Sequence, residues 1–543
     1  MILDAIQHPA LIFLVVVGLV WLRHKIFRTR GVWPGLRPER FIRWAAILVV
    51  AVYVGLMLVY LLKPGYWNPV ESSVTVIAQQ LTHGRQIYHA PDATPRFSLL
   101  YGPSVFIGNA MAVSLLDNPI LASKLLGVVW GLAALAACYL ALRRSFGGRV
   151  AVIGLGLIAT LALWFEHYTY WNKSDALLFC CTSLGLAAVL IRRKWLGWLI
   201  LSLAIGVAAN AKAHAPIYFV PILVMLISRQ GWRACLLPVV LSAVWIGLPF
   251  ALFPQSISLA NYVMWFTDVG SLPLSSMLLW RNLEYGLLLV FLPGLALMAV
   301  VAREFDRQQK FATFLPVVSS FVGVLVVIVI GAHPAAGEYH LIPFIPILVY
   351  LTADLYLTVP PQIRPAAWWP ALKTLARSTL LPAWIIAAAA TLIIGQIQIG
   401  FYDFILPDER DIQTDLLALK AQYAAYTLQM GYGDVATDRT TYFRPWLYAG
   451  DTEYLLDSQA MMDMQGVGVE IPAATLAVFE TQQYDIWLIP RASVPFSLRN
   501  SWFDDRPPLF SPEFQRAFLD NYLKVDSSQY YEVWQAKRLT LAN

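Results

Sequence analysis

The stretch WAAILVVAVYVGLMLVYLLKPGYWNPVESS, residues 44–73, decides the fold. Residues 44–62 carry no charge, and as a helix they reach about 28 Å, close to the thickness of a bilayer core. Lys63, Pro64 and Gly65 end the run, and Glu71 is the first carboxylate after it. An acid just beyond a membrane helix is either an ordinary first-turn residue or the centre of a reaction.

The rest of the chain repeats the pattern. Of 543 residues, 58% are hydrophobic and 13% are charged, which points to a polytopic membrane protein. Twelve apolar runs are candidate spans, near 8–22, 44–62, 119–142, 150–165, 175–191, 195–211, 214–227, 234–253, 284–302, 311–331, 340–358 and 379–399. The first lacks a basic segment before it and a small-residue cleavage site after it, so it reads as a retained helix. Cys138, Cys180, Cys181 and Cys235 all fall inside apolar runs, which implies no disulfide framework. No Cys/His spacing suits zinc.

Charge orients the chain. Six loops, 23–43, 143–149, 192–194, 228–233, 303–310 and 359–378, hold 21 of the 28 Lys and Arg in residues 1–400. By the positive-inside rule they are cytoplasmic. The short apolar segment 104–116 is then a juxtamembrane helix, since a span there would put RRSFGGR outside. Residues 63–118 become one large external loop.

Residues 401–543 carry 20 Asp and Glu against 11 Lys and Arg. They contain strand-like runs, DIWLIP and YYEVWQA, and a helical stretch at 408–427. The expected fold is therefore mainly α: a bundle of about 12 transmembrane helices, juxtamembrane helices in the first external loop, and a C-terminal α/β soluble domain. The expected divisions are 1–43 (an extra span and basic loop), 44–400 (the catalytic bundle) and 401–543 (an extracytoplasmic domain). The basic surplus elsewhere follows from topology, so nucleic acid is not an implied partner.

Polar residues near a membrane are costly and tend to mark function. Here they gather in the external connections. The first loop has Glu71, His83, Arg85, His89, Asp92, Arg96 and Tyr101. Later connections read WFEHYTYWNKSDALL with Asp175, NAKAHAPIYF with Lys212 and His214, a loop ending at Arg281, and GAHPAAGEYHLIPFIP with Glu338, Tyr339 and His340. Each has an ordinary alternative: Glu71 and Asp175 as early helix residues, Lys212 as a snorkelling cation, the histidines as interfacial hydrogen bonders.

The order of these segments resembles the GT-C superfamily of integral-membrane glycosyltransferases, in the manner of bacterial protein mannosyltransferases and aminoarabinose transferases. The resemblance rests on NPVESS, GRQIYHAPDATPRFSLLYGPS, VFIGNAMAVSLL, the span ending in RRSFGG, WNKSDALLF, NAKAHAPIYF and GEYHLIPFIPIL, over roughly residues 44–358. It implies transfer of a sugar from a polyprenyl-phosphate donor to a glycan, lipid or protein hydroxyl, in a bacterial inner membrane. Glu71 would be the general base. Asp175 or Asp92 would be a second acid that orients the acceptor or holds a divalent ion such as Mg or Mn. Lys212, Arg281, His214 and His340 would contact the phosphate, and Tyr101, Glu338 and Tyr339 would line the substrate site. The family often has two adjacent acids in the first loop, whereas Glu71 stands between Val70 and Ser72. A transporter or flippase of an envelope substrate is the alternative, but no repeat relates the two halves.

Overall fold

The structure, a computed structural model, describes residues 38–301, 307–334, 336–357, 408–435, 438–502 and 506–540. The expected spans 8–22 and 379–399, the basic loop 359–378, and parts of the loops 23–43 and 303–310 lie outside the described residues.

The other ten apolar runs coincide with helices. These are α1 (Pro38–Leu62), α4 (Pro119–Phe146), α5 (Gly148–Trp164), α6 (Ser174–Val189), α7 (Lys194–Ala209), α8 (Pro216–Gln230), α9 (Arg233–Leu252), α11 (Ser276–Val301), α12 (Arg307–Ile330), and a tight turn Glu338–Phe344 leading into α13 (Ile345–Leu357). Between them lie α2 (Pro69–Thr82), α3 (Pro103–Leu115) and α10 (Leu259–Val269). Prolines open α2, α3, α4 and α8, where a missing N–H costs nothing. By length and composition three segments among the described residues can cross a membrane: Ile42–Leu62, Pro119–Phe146 and Arg233–Leu252. That narrows the expectation of about twelve spans, because several of the other helices have only 13 to 17 residues. α3, at 13 residues, reaches only about 20 Å and is too short to cross. α1, α4 and α9 turn large apolar side chains outward, among them Trp44, Leu58, Val129, Leu236 and Val240. Helices facing lipid have this property.

Residues 408–540 carry a four-stranded sheet in the order β1-β2-β4-β3, with β1 Leu428–Met430, β2 Ile486–Pro490, β3 Tyr522–Ser527 and β4 Tyr531–Ala536. β1 and β2 run parallel; the other pairs are antiparallel. Helices α14 (Glu409–Gln422), α15 (Arg444–Leu447), α16 (Ser458–Gly466), α17 (Ala473–Glu480), α18 (Pro512–Asn521) and α19 (Lys537–Thr540) complete it. An aromatic cluster of Phe479, Trp487, Phe496, Phe514 and Phe518 fills the space beside the sheet.

This segment is fastened to the loop between α1 and α3. Arg96 N–H donates to Leu455 O at 2.7 Å, and Asp457 N–H donates back to Arg96 O at 3.0 Å. The Gln80 side chain donates to Thr452 O and accepts from Tyr454 N–H. Lys63 pairs with Glu409, which also accepts from Gly65 N–H. The Arg96 guanidinium, almost fully buried, donates to Pro91 O and Glu470 O. Buried polar groups satisfied in this way hold two surfaces in one register.

Candidate active site

A cavity of about 490 Å³ opens where the connections α5–α6, α7–α8 and α12–α13 meet the loop 63–102 and the C-terminal segment. Its walls include Tyr101, Tyr168, Trp171, Lys173, Lys212, His214, His333, Tyr339 and His340, together with Gln459, Asp463 and Trp502.

Local geometry brings these together. At the YGPS turn, Gly102 N–H donates to Ala211 O at 3.0 Å and Ser104 N–H to Asn210 O at 3.1 Å. A Cβ on Gly102 would stand 2.0 Å from Asn210 O, so glycine is what lets this turn reach the Lys212 connection. A Cβ on Gly127 of α4 would likewise meet Trp171 O at 2.5 Å.

Asp175 lies in the first turn of α6, where a carboxylate suits the helix dipole. Its Oδ1 accepts from Lys212 Nζ at 2.7 Å. Oδ2 is buried without a hydrogen bond. Lys212 Nζ also lies 3.2 Å from His340 Nε2, while His340 Nδ1 is 3.0 Å from Gly337 O. A carbonyl only accepts, so Nδ1 carries the proton and Nε2 accepts from Lys212. The ring of His214 is 5.3 Å from that of His340. Lys212 is therefore aimed from both sides.

Lys173, in the connection just before α6, is held differently. Its ammonium lies 3.8 Å from the Trp171 ring centre, 5.4 Å from that of Tyr339 and 5.7 Å from that of Tyr101. Aromatic faces attract a cation. Burial nevertheless pushes its pKa down to about 7.

Several expected residues are thus assembled: Lys212, His214, His340, Tyr101 and Tyr339 line the cavity, and Asp175 stands behind Lys212. Others are elsewhere. Glu71 is fully buried and does not line the cavity. With Asn68 it forms a capping box: Oε2 accepts from Trp67 N–H at 3.0 Å and Asn68 N–H at 3.1 Å, and Oε1 accepts from Tyr60 OH and lies 3.4 Å from Asn172 N. Burial raises its pKa, opposed by these donors and by Lys124. Both oxygens are occupied, and the cavity-facing neighbours are Asn68 and Val70. The expectation of a base at Glu71 does not match this geometry. Asp92 is exposed and away from the cavity lining. Arg281 donates to Glu338 at 2.7 Å, and neither lines the cavity. Their charges compensate each other.

Sequence reasoning passed over Lys173 as a site residue, although a lysine among YTYWNK aromatics beside Asp175 was a usable signal. It also passed over Tyr168, Trp171, Gln459, Asp463 and Trp502; a lone acid in MMDMQ gives no signal at all. Among the described residues no three His, Cys, Asp or Glu side chains gather as a metal site requires.

Residues 103–257 match the family described as dolichyl-phosphate-mannose-protein mannosyltransferase. The fold is similar to that of ArnT from Cupriavidus metallidurans bound to undecaprenyl phosphate, with a TM-score of 0.54 and 16% identity, covering 90% of this chain and 97% of that one. The apo state of the same protein gives 0.51 and 14% over the same shares. A search of the curated proteins finds no match. The family match thus covers residues 103–257, and it lies on a fold shared over nearly the whole of ArnT.

Proposed function

We propose that the chain moves a sugar from a polyprenyl-phosphate donor to an acceptor hydroxyl, at the external face of a bacterial inner membrane. The observation that carries this reading is the convergence of Lys173 and Lys212, with His340, on one cavity. Two cations stabilise a phosphate as it gains charge on leaving the sugar. Lys212 is pre-aimed by Asp175 and His340, and Lys173 is seated on aromatic faces, so little reorganisation is needed on binding. Phe266, Val269 and Ile330 offer an apolar wall for the first isoprenyl units. Trp502 and Tyr168 offer faces against which a sugar ring can stack.

In this reading residues 44–400 form the membrane part and 401–543 an extracytoplasmic part that closes the cavity. Undecaprenyl phosphate bound in ArnT supports a polyprenyl phosphate as the ligand class.

The test uses purified chain in nanodiscs with polyprenyl-phosphate mannose labelled in the sugar. Donor-dependent labelling of a hydroxyl product, lost in Lys212→Ala, is the expected result. Passage of labelled substrate across a vesicle membrane without covalent transfer would overturn the reading in favour of a transporter or flippase.

A further inference from the structure

Among the described residues that line the cavity, one carboxylate is present, and it comes from the C-terminal segment. Asp463 sits on α16, four residues after Gln459, so both side chains fall on one helical face and both line the cavity. Asp463 is 8% exposed. Burying a carboxylate is expensive, and buried carboxylates concentrate at functional sites.

The helix that carries it is rigidly placed. Asp457 caps α16, its Oδ1 accepting from Gln459 N–H and Ala460 N–H at 3.0 Å each. Its Oδ2 accepts from Tyr454 OH at 2.7 Å and from Arg444 at 3.3 Å. Arg444 also donates to Tyr432 OH and Tyr454 OH. The backbone bonds between Arg96 and residues 455–457 fix the cap to the loop that forms the cavity rim. α16 is thus aimed through a buried network rather than left on a loop. Burial, and the nearby Asp457 charge, raise the Asp463 pKa, so its ionised form is a stronger base than an exposed aspartate.

We infer that Asp463, reaching the cavity from the C-terminal segment, is the general base that accepts the proton of the acceptor hydroxyl. This rests on the transferase reading above. The acceptor oxygen forms a bond to the anomeric carbon of the donor sugar. The bond from that carbon to the phosphate oxygen breaks, and its electron pair leaves with the polyprenyl phosphate, held by Lys173 and Lys212. The acceptor proton passes to the Asp463 carboxylate and then to water. Gln459, one turn earlier, is placed to orient the same hydroxyl.

The experiment compares wild type, Asp463→Asn and Asp463→Ala in nanodiscs, with polyprenyl-phosphate mannose for transfer and undecaprenyl phosphate for binding. Asp463→Asn should lower kcat on the order of 10²- to 10⁴-fold while undecaprenyl phosphate affinity stays within about threefold. Formate should restore part of the activity of Asp463→Ala, which a merely structural role would not allow. An Asp463→Asn enzyme with near wild-type kcat, or one that loses phosphate affinity and transfer in parallel, overturns the assignment of the base. A wild-type enzyme that neither binds undecaprenyl phosphate nor consumes donor overturns the transferase reading itself, and this inference with it.

Discussion

The pKa of Lys173 makes a quantitative prediction about donor binding. In the free protein it is near 7, because burial outweighs the attraction of Asp175. At pH 7 roughly half of the molecules carry a neutral amine. A bound phosphate diester keeps its single negative charge across this range and favours the ammonium. Lys173 therefore takes up a proton as donor binds. The uptake should be about 0.1 proton per donor at pH 6, about 0.5 at pH 7 and about 0.9 at pH 8. The sign follows: a pKa raised by binding gives affinity that is full below the free pKa and lost above it. The donor Kd should weaken about tenfold between pH 6 and pH 8, or roughly 1.4 kcal/mol. Titration calorimetry in buffers of different ionisation enthalpy measures the uptake directly. Lys173→Arg keeps the charge and the stacking on Trp171, so its uptake should vanish and its Kd should be flat. Proton uptake near zero in the wild type at pH 8 would refute the reasoning.

Three further outcomes are expected. Lys212→Ala leaves Asp175 buried without its cation, a loss of about 3–5 kcal/mol; adding Asp175→Asn should recover thermal stability but not donor affinity, and recovery of both would assign Lys212 a structural role only. Glu71→Gln places an amide among donors that all require an acceptor, so the Tm should fall by an amount corresponding to about 1–3 kcal/mol, with transfer per folded molecule retained; a kcat loss of 10³-fold at unchanged Tm would restore Glu71 as the base. Gly102→Ala drives a methyl into the Asn210 carbonyl, so monodisperse protein recovered by size-exclusion chromatography in detergent should collapse, and normal recovery would mean that the turn can shift.

The helices were legible in the sequence because long uncharged runs leave few alternatives. In the C-terminal segment DIWLIP and YYEVWQA became β2 and β4: β2 is five apolar residues in a row, and β4 is rich in aromatic and β-branched residues. β1 has three residues, too few to show a period. At the site, Lys212 and His340 were visible because a cation and a histidine between apolar runs need a reason to be there. Glu71 is harder to read. A first-turn acid and a catalytic base look alike along a chain, and the spacing Asn68 to Glu71 is also that of a capping box. The pairing of Arg281 was hidden for a related reason: its partner Glu338 lies 57 positions away. Asp463 depends on how α16 is docked, and no local pattern encodes docking.

The fastening of Arg96 to residues 455–470 has a consequence for how the protein is made. The two partners in the Arg96–Glu470 bond are 374 positions apart. In the proposed reading, a nascent chain inserts its helices, and exposes Lys173 and Lys212 to lipid phosphates, long before α16 has been synthesised. During that interval the cavity would hold its cations but not the acid from α16. Completion of the site would then wait on export and folding of the last quarter of the polypeptide, so an unfinished molecule could bind the lipid carrier without spending its sugar.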